Sequence, residues 1–395
     1  MTDDEGLLHR AWARLRAGDV GRLPVIAALL VIAGVFHTLN PVFLSSRNLA
    51  DLLVQCAPIG MIALGIVLVL LIGEIDLSVG SMSGLAAAIL AVGAVQLSLP
   101  VPVAIAAALA AGCLVGAIYG LLRTRLGLPS FVVTLAGLLG LLGVQLWVLG
   151  DAGSINLPFD SALVQFAQHL YLPPAASYVL AVVGAAAYTT TLLRRARRRA
   201  AADLDSAGTA SVLVRGALLG AGLVAAAWYL NLSRGVGVIF VLFVLIVVLM
   251  HFLLTRTRWG RSVYAVGGSV EAARRAGIRV DRVMVSVFVL CSTFAAAGGI
   301  LAAARLAAAN QSSGAADTNL NAIAAAIIGG ASLFGGRGSA FAALLGVIVI
   351  QAISSGLTLV NLSSAVQFMV TGVVLVFAVA LDAVTRRARE VRGLG

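Results

Sequence analysis

"LIGEIDLSVGSM", residues 71–82, stands between two apolar runs, "CAPIGMIALGIVLVLLIG" (56–73) and "SGLAAAILAVGAVQL" (83–97). Two carboxylates, Glu74 and Asp76, therefore sit where the sequence around them calls for hydrocarbon. An ionisable side chain inside a membrane span is costly and marks a functional position by default. Gly73 and Gly80 bracket the pair and read as a helix break. The backbone groups that such a break frees must be buried in protein or face a water-filled cavity. In the functional reading Glu74, Asp76, Ser78 and Ser81 line or brace that cavity, where carboxylates and hydroxyls suit a hydroxyl-rich neutral ligand. In the local reading Asp76 or Ser78 caps the helix that follows, and Glu74 sits at headgroup level. Both remain open at this point.

The rest of the chain sets the fold class. It is 61% hydrophobic and 11% charged, and runs long enough to cross a bilayer recur along almost its whole length, as in a polytopic helical membrane protein. The expectation is an all-α protein with about 10–12 transmembrane segments and broken or re-entrant helices near 73–81 and 329–338. Residues 1–22 read as a cytoplasmic segment, 23–383 as one transmembrane domain, and 384–395 as a cytoplasmic tail. The apolar stretch from Leu23 has no small-residue cleavage site after it and reads as the first span. All 27 basic residues are Arg. With the N-terminus inside and the sides alternating, 24 of the 27 fall on inner ends and loops, all but Arg47, Arg234 and Arg305. That bias follows the positive-inside rule and predicts both termini in the cytoplasm. The run "RRARRRAAADLDSAG" (194–208) reads as a loop near anionic lipid headgroups and not as a nucleic-acid site.

Several chemistries are excluded or unsupported. Without Lys there is no standard P-loop to hold ATP phosphates. No nucleophile elbow with triad partners stands out, and the scattered Cys and His residues form no metal-ligand spacing, so no metal and no cofactor are expected. The chain reads as a conduit without a catalytic constellation.

Three more features bear on transport. In "RTRWGRSVYAVGGSVEAARRAGIRVDRVMV" (256–285), Ser269 can cap a short helix from Val270 to Ala276, with Glu271 in its first turn and Gly277 at its end. In "NLNAIAAAIIGGASLFGGRGSAFAALLG" (319–346), Gly329 and Gly330 permit a re-entrant turn or close helix contact, and Asn319 and Asn321 are the polar groups at its outer end. Finally, "GEIDLSVGSMSGLAA" (73–87) and "GGASLFGGRGSAFAA" (329–343) share Gly, Leu, Gly, Ser and Ala-Ala at equal offsets. Broken helices at matching places point to a transport path.

Four stretches in order resemble the membrane permease subunit of bacterial ATP-binding-cassette sugar importers, the ribose/xylose/galactose permease family. They are "GEIDLSVGSMSGL" (73–85), "GLPSFVVTLAGLLGLLGV" (127–144), "GRSVYAVGGSVEAARRAGI" (260–278) and "IAAAIIGGASLFGGRGSAFAALLGVIVI" (323–350). The extra pair of spans at 173–235, with its Arg-rich loop, resembles the longer xylose-type members. Glu74 departs from the family's usual Gly-Gly or Ser-Gly before Ile-Asp-Leu-Ser. The resemblance implies a second copy of the chain, a cytoplasmic ATPase subunit that uses the ATP, and an extracytoplasmic sugar-binding protein. It also makes 256–282 a coupling loop carrying Glu271, Ala272, Ala273 and Gly277, in a bacterial inner membrane. The rival is an ion-coupled secondary transporter of a small polar solute with Asp76 as its ion site.

Overall fold

Most of the described helices begin directly after a Ser, Pro or Gly that interrupts an apolar run. The computed structural model describes residues 23–204, 208–363 and 365–373, with 376 and 380; the expected segments 1–22 and 384–395 and most of 374–383 lie outside them. Fourteen α-helices have named bounds among the described residues. They are α1 (Leu23–Leu39), α2 (Ser46–Leu71), α3 (Val79–Ala91), α4 (Val101–Arg125), α5 (Ser130–Leu149), α6 (Ala162–Gln168) and α7 (Pro174–Ala200). There follow α8 (Thr209–Asn231), α9 (Val238–Arg256), α10 (Arg258–Gly268), α11 (Val270–Arg275), α12 (Val280–Leu306), α13 (Ala316–Ile328) and α14 (Phe341–Leu359). Residues 365–373 are helical as well. Ser45 caps α2 by accepting the Asn48 amide, and Pro100, Pro129 and Pro173 stand immediately before α4, α5 and α7, where a fixed φ suits helix entry. A π-helical turn, Val92–Gln96, extends α3.

Nine of these helices, α3 counted with its π turn, are long and apolar enough to cross a membrane among the described residues. The protein is an all-α polytopic membrane protein. Its only sheet among the described residues is one antiparallel pair, β1 (Ser154–Asn156) with β2 (Ala308–Asn310).

α2 and α12 form the centre. α12 packs on α2, α3 and α4, and α14 and α13 pack on α2. Backbones approach closely where side chains are smallest. Gly112, Gly116 and Gly120 set a bare stripe of α4 against Ser292, Phe288 and Val285 of α12, the small-residue spacing that serves helix contact where lipid supplies no hydrophobic drive. α13 has 13 residues, about 20 Å, and is too short to cross a core of about 30 Å. It ends at Gly329, and an irregular segment leads to α14. The inserted α7 and α8 form a hairpin that packs chiefly on itself, with α8 leaning on α2.

Candidate functional site

Residues 72–78 run without helix from the end of α2 to Val79. Gly73 takes φ +75 there, a conformation glycine adopts without steric cost. Distant parts of the chain meet at this break and satisfy its backbone. Ser130 Oγ at the start of α5 accepts the Ile75 amide at 3.3 Å, and the Thr134 hydroxyl reaches the Ile75 carbonyl at 3.4 Å. Arg123 Nε, near the end of α4, donates to Glu74 Oε1 at 2.8 Å. Asn319 Nδ2 of α13 donates to the Leu77 carbonyl at 2.6 Å.

The second break, 329–340, abuts the first. The Gly336 amide donates to the Leu71 carbonyl at 2.9 Å, and Gly73 faces the backbone of Phe334 and Gly335. α10 closes the junction. Its Gly267 lies so near Leu71 that a methyl group there would overlap the Leu71 carbonyl and press on the Gly336 amide. Tyr264 donates from its hydroxyl to the Gly338 carbonyl at 2.9 Å, and burial raises its phenol above the usual range. The two echo stretches thus each run from a break into a helix and touch one another, the arrangement expected of repeated discontinuous helices beside a path.

Asp76 is 1% exposed. Its Oδ1 accepts the Ser78 amide at 2.8 Å and the Ser78 hydroxyl at 2.7 Å, and the Cys291 thiol lies 3.6 Å from Oδ2. Asp76 therefore braces the entry to α3, and Ser78 gives that helix no side-chain cap of its own. Ser81 is buried on the first turn of α3. Glu74 is held by Arg123, at the shared end of α4 and α5, while Leu77 already lies beside Asn319. Asp76 meets Cys291, midway along α12, and so lies inside the bundle, away from that end.

One reading is corrected. Gly80 does not bracket the break, because it is the second residue of α3. Its bare Cα instead admits the Gly314 carbonyl and the Asn319 side chain. Gly329 keeps φ −70 at the end of α13, and the reversal falls on Gly330 at φ +99. Asn321 is half-buried, and its side chain makes no hydrogen bond among the described residues.

The short helix α11 stands apart from the break. Ser269 Oγ accepts the Ala272 amide at 3.2 Å, and Gly277 follows at φ +80. Glu271, Ala272 and Gly277 are exposed, and Ala273 is buried. α11 continues directly from α10 and so reaches the junction through Gly267.

Sequence reasoning passed over several polar groups. Gln145 is fully buried, and its Nε2 donates to the carbonyls of Asn310 at 3.1 Å and Ser313 at 3.0 Å. Gln145 Oε1, Asn319 Oδ1 and Ser292 Oγ are buried without a hydrogen-bond partner among the described residues. Buried polar atoms without a partner are few in folded proteins. Gly80 and Gly84, one turn apart on α3, face Asn319 and Gln145, so two of these open acceptors border the same face of α3. A lone amide in the apolar run "GLLGVQLWVL" (140–149) was the available signal.

A second polar region lies at the opposite end of the bundle. Asp51, Val54, Gln55, Gln168, His169, Tyr171, Arg234 and Arg305 line a cavity of about 380 Å³, within the range of small-ligand sites. Arg234 pairs with Asp51 at 3.5 Å, and its guanidinium is raised above its usual value first by Tyr171 and then by Asp51. Arg305 Nε is buried without a partner among the described residues. No group of three or more metal-ligating side chains occurs among the described residues.

Residues 48–379 match the family described as branched-chain amino acid transport system / permease component. The xylose transport system permease protein of Escherichia coli strain K12 is 37% identical over 364 residues, 92% of each chain. That of Haemophilus influenzae is 31% identical over 358 residues, 91% of this chain and 94% of its own. The ribose import permease protein of Escherichia coli strain K12 is 30% identical over 359 residues, 90% of this chain and 92% of its own. No solved structure matches the chain.

Proposed function

The chain belongs to the branched-chain amino acid transport system / permease component family, and from that premise we propose that it is the membrane subunit of an ATP-driven importer of a monosaccharide, D-xylose or another pentose. The sugar class rests on the relatives, which are xylose and ribose permeases matched over nine-tenths of their length. Two copies of the chain would enclose the path, two ATPase subunits would bind at the α10–α11 end, and a sugar-binding protein would deliver from the Arg305 end. Those assignments put both termini and the Arg123 end in the cytoplasm, as the arginine distribution predicts.

The observation that carries the reading is the meeting of Gly267, Leu71 and Gly336. A partner that moves the exposed Glu271–Gly277 segment moves α10. Backbone contacts without intervening side chains pass that displacement to both breaks at once, since close-packed elements shift between discrete arrangements and do not deform smoothly. The breaks in turn hold α3, whose flank carries the open acceptors of Gln145 and Asn319. These atoms can accept sugar hydroxyls. Asp76 and Glu74 act as braces in this scheme, and Asp76 with Ser78 and Ser81 shapes the wall.

The test is co-purification. The protein, tagged and extracted in mild detergent from its native membrane, should bring down a nucleotide-binding ATPase in near-equal amount. A clean preparation with no ATPase after cross-linking would replace this reading with an ion-coupled transporter. The binding protein recovered with the complex then reports the sugar, by its affinity for xylose against ribose.

A further inference from the structure

The inserted hairpin ends in a concentration of charge that the transport scheme leaves unused. α7 carries Arg194, Arg195, Arg197, Arg198 and Arg199 in its last seven residues. From Pro174 to Arg194 is 20 residues of helix, about 30 Å, so the arginines begin where the hydrocarbon core ends. At 100° per residue they fan over roughly 200° of the helix surface, while Ala196 lies on the remaining side. The packing face of α7 toward α8 is set by Asn231 bonding Ser177 at 2.8 Å at one end and by Gly216 against Thr189 near the other.

Gly216 beside Thr189 also fixes the level of Arg215. That exposed residue of α8 lies about four residues, or 6 Å, deeper in the bilayer than Arg194. A guanidinium at that depth reaches for the headgroup layer along its apolar stem. Arg194, Arg195, Arg197, Arg198 and Arg215 are all exposed and have no acidic partner among the described residues. The acids of 173–235 are Asp203 and Asp205, against seven arginines.

We propose that the α7–α8 end is a binding site for the phosphate of an anionic phospholipid, held between Arg215 below and Arg194, Arg195, Arg197 and Arg198 above. Guanidinium groups bind phosphate oxygens in pairs, and basic clusters next to a span attract anionic headgroups. The α7 face away from α8 supplies the rest of the site. Ala186, Ala187 and Tyr188 are exposed there or beside it, within about 12 Å of Arg194, and lie along the acyl chains. The proposal requires only that the hairpin span a bilayer, and it stands whatever solute the chain carries.

The full chain is placed in nanodiscs of phosphatidylglycerol and phosphatidylcholine, and the lipid that stays bound through detergent exchange is counted by mass spectrometry. The unmodified protein should retain phosphatidylglycerol in clear excess over the bulk ratio. R194Q/R195Q/R197Q/R198Q together should lower that excess about tenfold, and the four Lys replacements should keep a large part of it. A photoreactive phosphatidylglycerol on the unmodified chain should label residues 190–215, which settles the matter even if the Gln variant fails to accumulate. Retained lipid at the bulk ratio, an excess unchanged in the Gln variant, or labelling confined to other segments would each overturn the site. So would retention of a short RNA with no lipid preference.

Discussion

The junction around Leu71 and the inserted hairpin α7–α8 are built from the same apolar alphabet and behave as opposites. In α2, 83% of the span-length apolar stretch is buried, against 17% in α7. At the junction, helices and breaks touch through backbone atoms, glycines and single hydrogen bonds, so each contact is tied to several others. In the hairpin, α7 and α8 rest on one another and present most of their surface outward. The difference separates what must move as a unit from what can be added without disturbing it. In the proposed importer the breaks are coupled to the loop helix, and a hairpin whose contacts with the rest are few leaves that coupling undisturbed.

The largest expected effect tests that contrast directly. Gly267→Val drives a branched side chain into the Leu71 carbonyl and the Gly336 amide. Overpacking of this kind costs about 3 kcal/mol or more when backbone must shift, so membrane abundance and the detergent melting temperature should both collapse. Gly222→Val in α8 meets nothing within 4 Å and should change stability by no more than about 0.5 kcal/mol. Equal loss in the two variants would abolish the distinction between junction and hairpin.

A second comparison lies within the Glu74–Arg123 pair, where the Glu74 side chain is 11% exposed and Arg123 31%. Removing the cation strands a nearly buried carboxylate; removing the carboxylate leaves a guanidinium that water still reaches. Arg123→Met should cost about 2 kcal/mol and Glu74→Gln less than about 1 kcal/mol, read as melting temperatures. The reverse order would place Glu74 in a wetter setting than the break provides.

Much of the membrane fold was legible because apolar length and arginine placement are one-dimensional signals. Asp76 stood out for the same reason, as a charge inside such a run. The convergence on Leu71 was not legible. Ser130, Gly267 and Gly336 reach the break through an amide, a carbonyl and bare backbone, and none of these leaves a side-chain mark at the partner position. Gly80 shows the limit clearly: a glycine that ends a helix and one that admits a neighbouring carbonyl look alike in sequence. Gln145 and Arg305 carried a usable signal as lone polar residues in apolar runs. Their partners in space, the 310–314 carbonyls and the cavity at the far end, did not.

Asn319 sharpens the view of the junction as a coupled device. Asn319→Leu leaves the part-buried Leu77 carbonyl without its donor, which costs about 1 kcal/mol. Gln145→Leu loses two donated bonds one turn along the same α3 face. If these amides also meet the sugar, both variants should lower uptake further than their loss of abundance accounts for. Uptake that falls only in proportion to abundance would leave them as packing groups.

Gly277→Asp moves the question to the loop. The residue takes φ +80 and has open space around it, so the penalty is local backbone strain of about 1 kcal/mol, too little to remove the protein from the membrane. Normal abundance with uptake lost would show that α11 transmits and does not merely cap. Uptake unchanged would detach α11 from the mechanism and leave the junction without its lever.

The smallest structural effect belongs to the cavity at the opposite end. Asp51 and Arg234 are 3.5 Å apart with side chains 39% and 45% exposed, and such a pair contributes less than about 0.5 kcal/mol. Arg234 has Tyr171 as a further partner, so its position survives the loss of Asp51. Asp51→Asn should therefore leave melting temperature and abundance unchanged. Should the cavity receive sugar on its way in, the change from a charged to a neutral acceptor weakens the hold on hydroxyl donors. It also removes the one acid among the described residues that line the cavity with Arg234 and Arg305. The half-saturating sugar concentration for uptake should rise severalfold at an unchanged maximal rate, because a group that binds substrate without moving in the cycle alters only the binding step. A drop in the maximal rate alone would place Asp51 in the conformational change, and would extend the coupled junction along α2 to its far end.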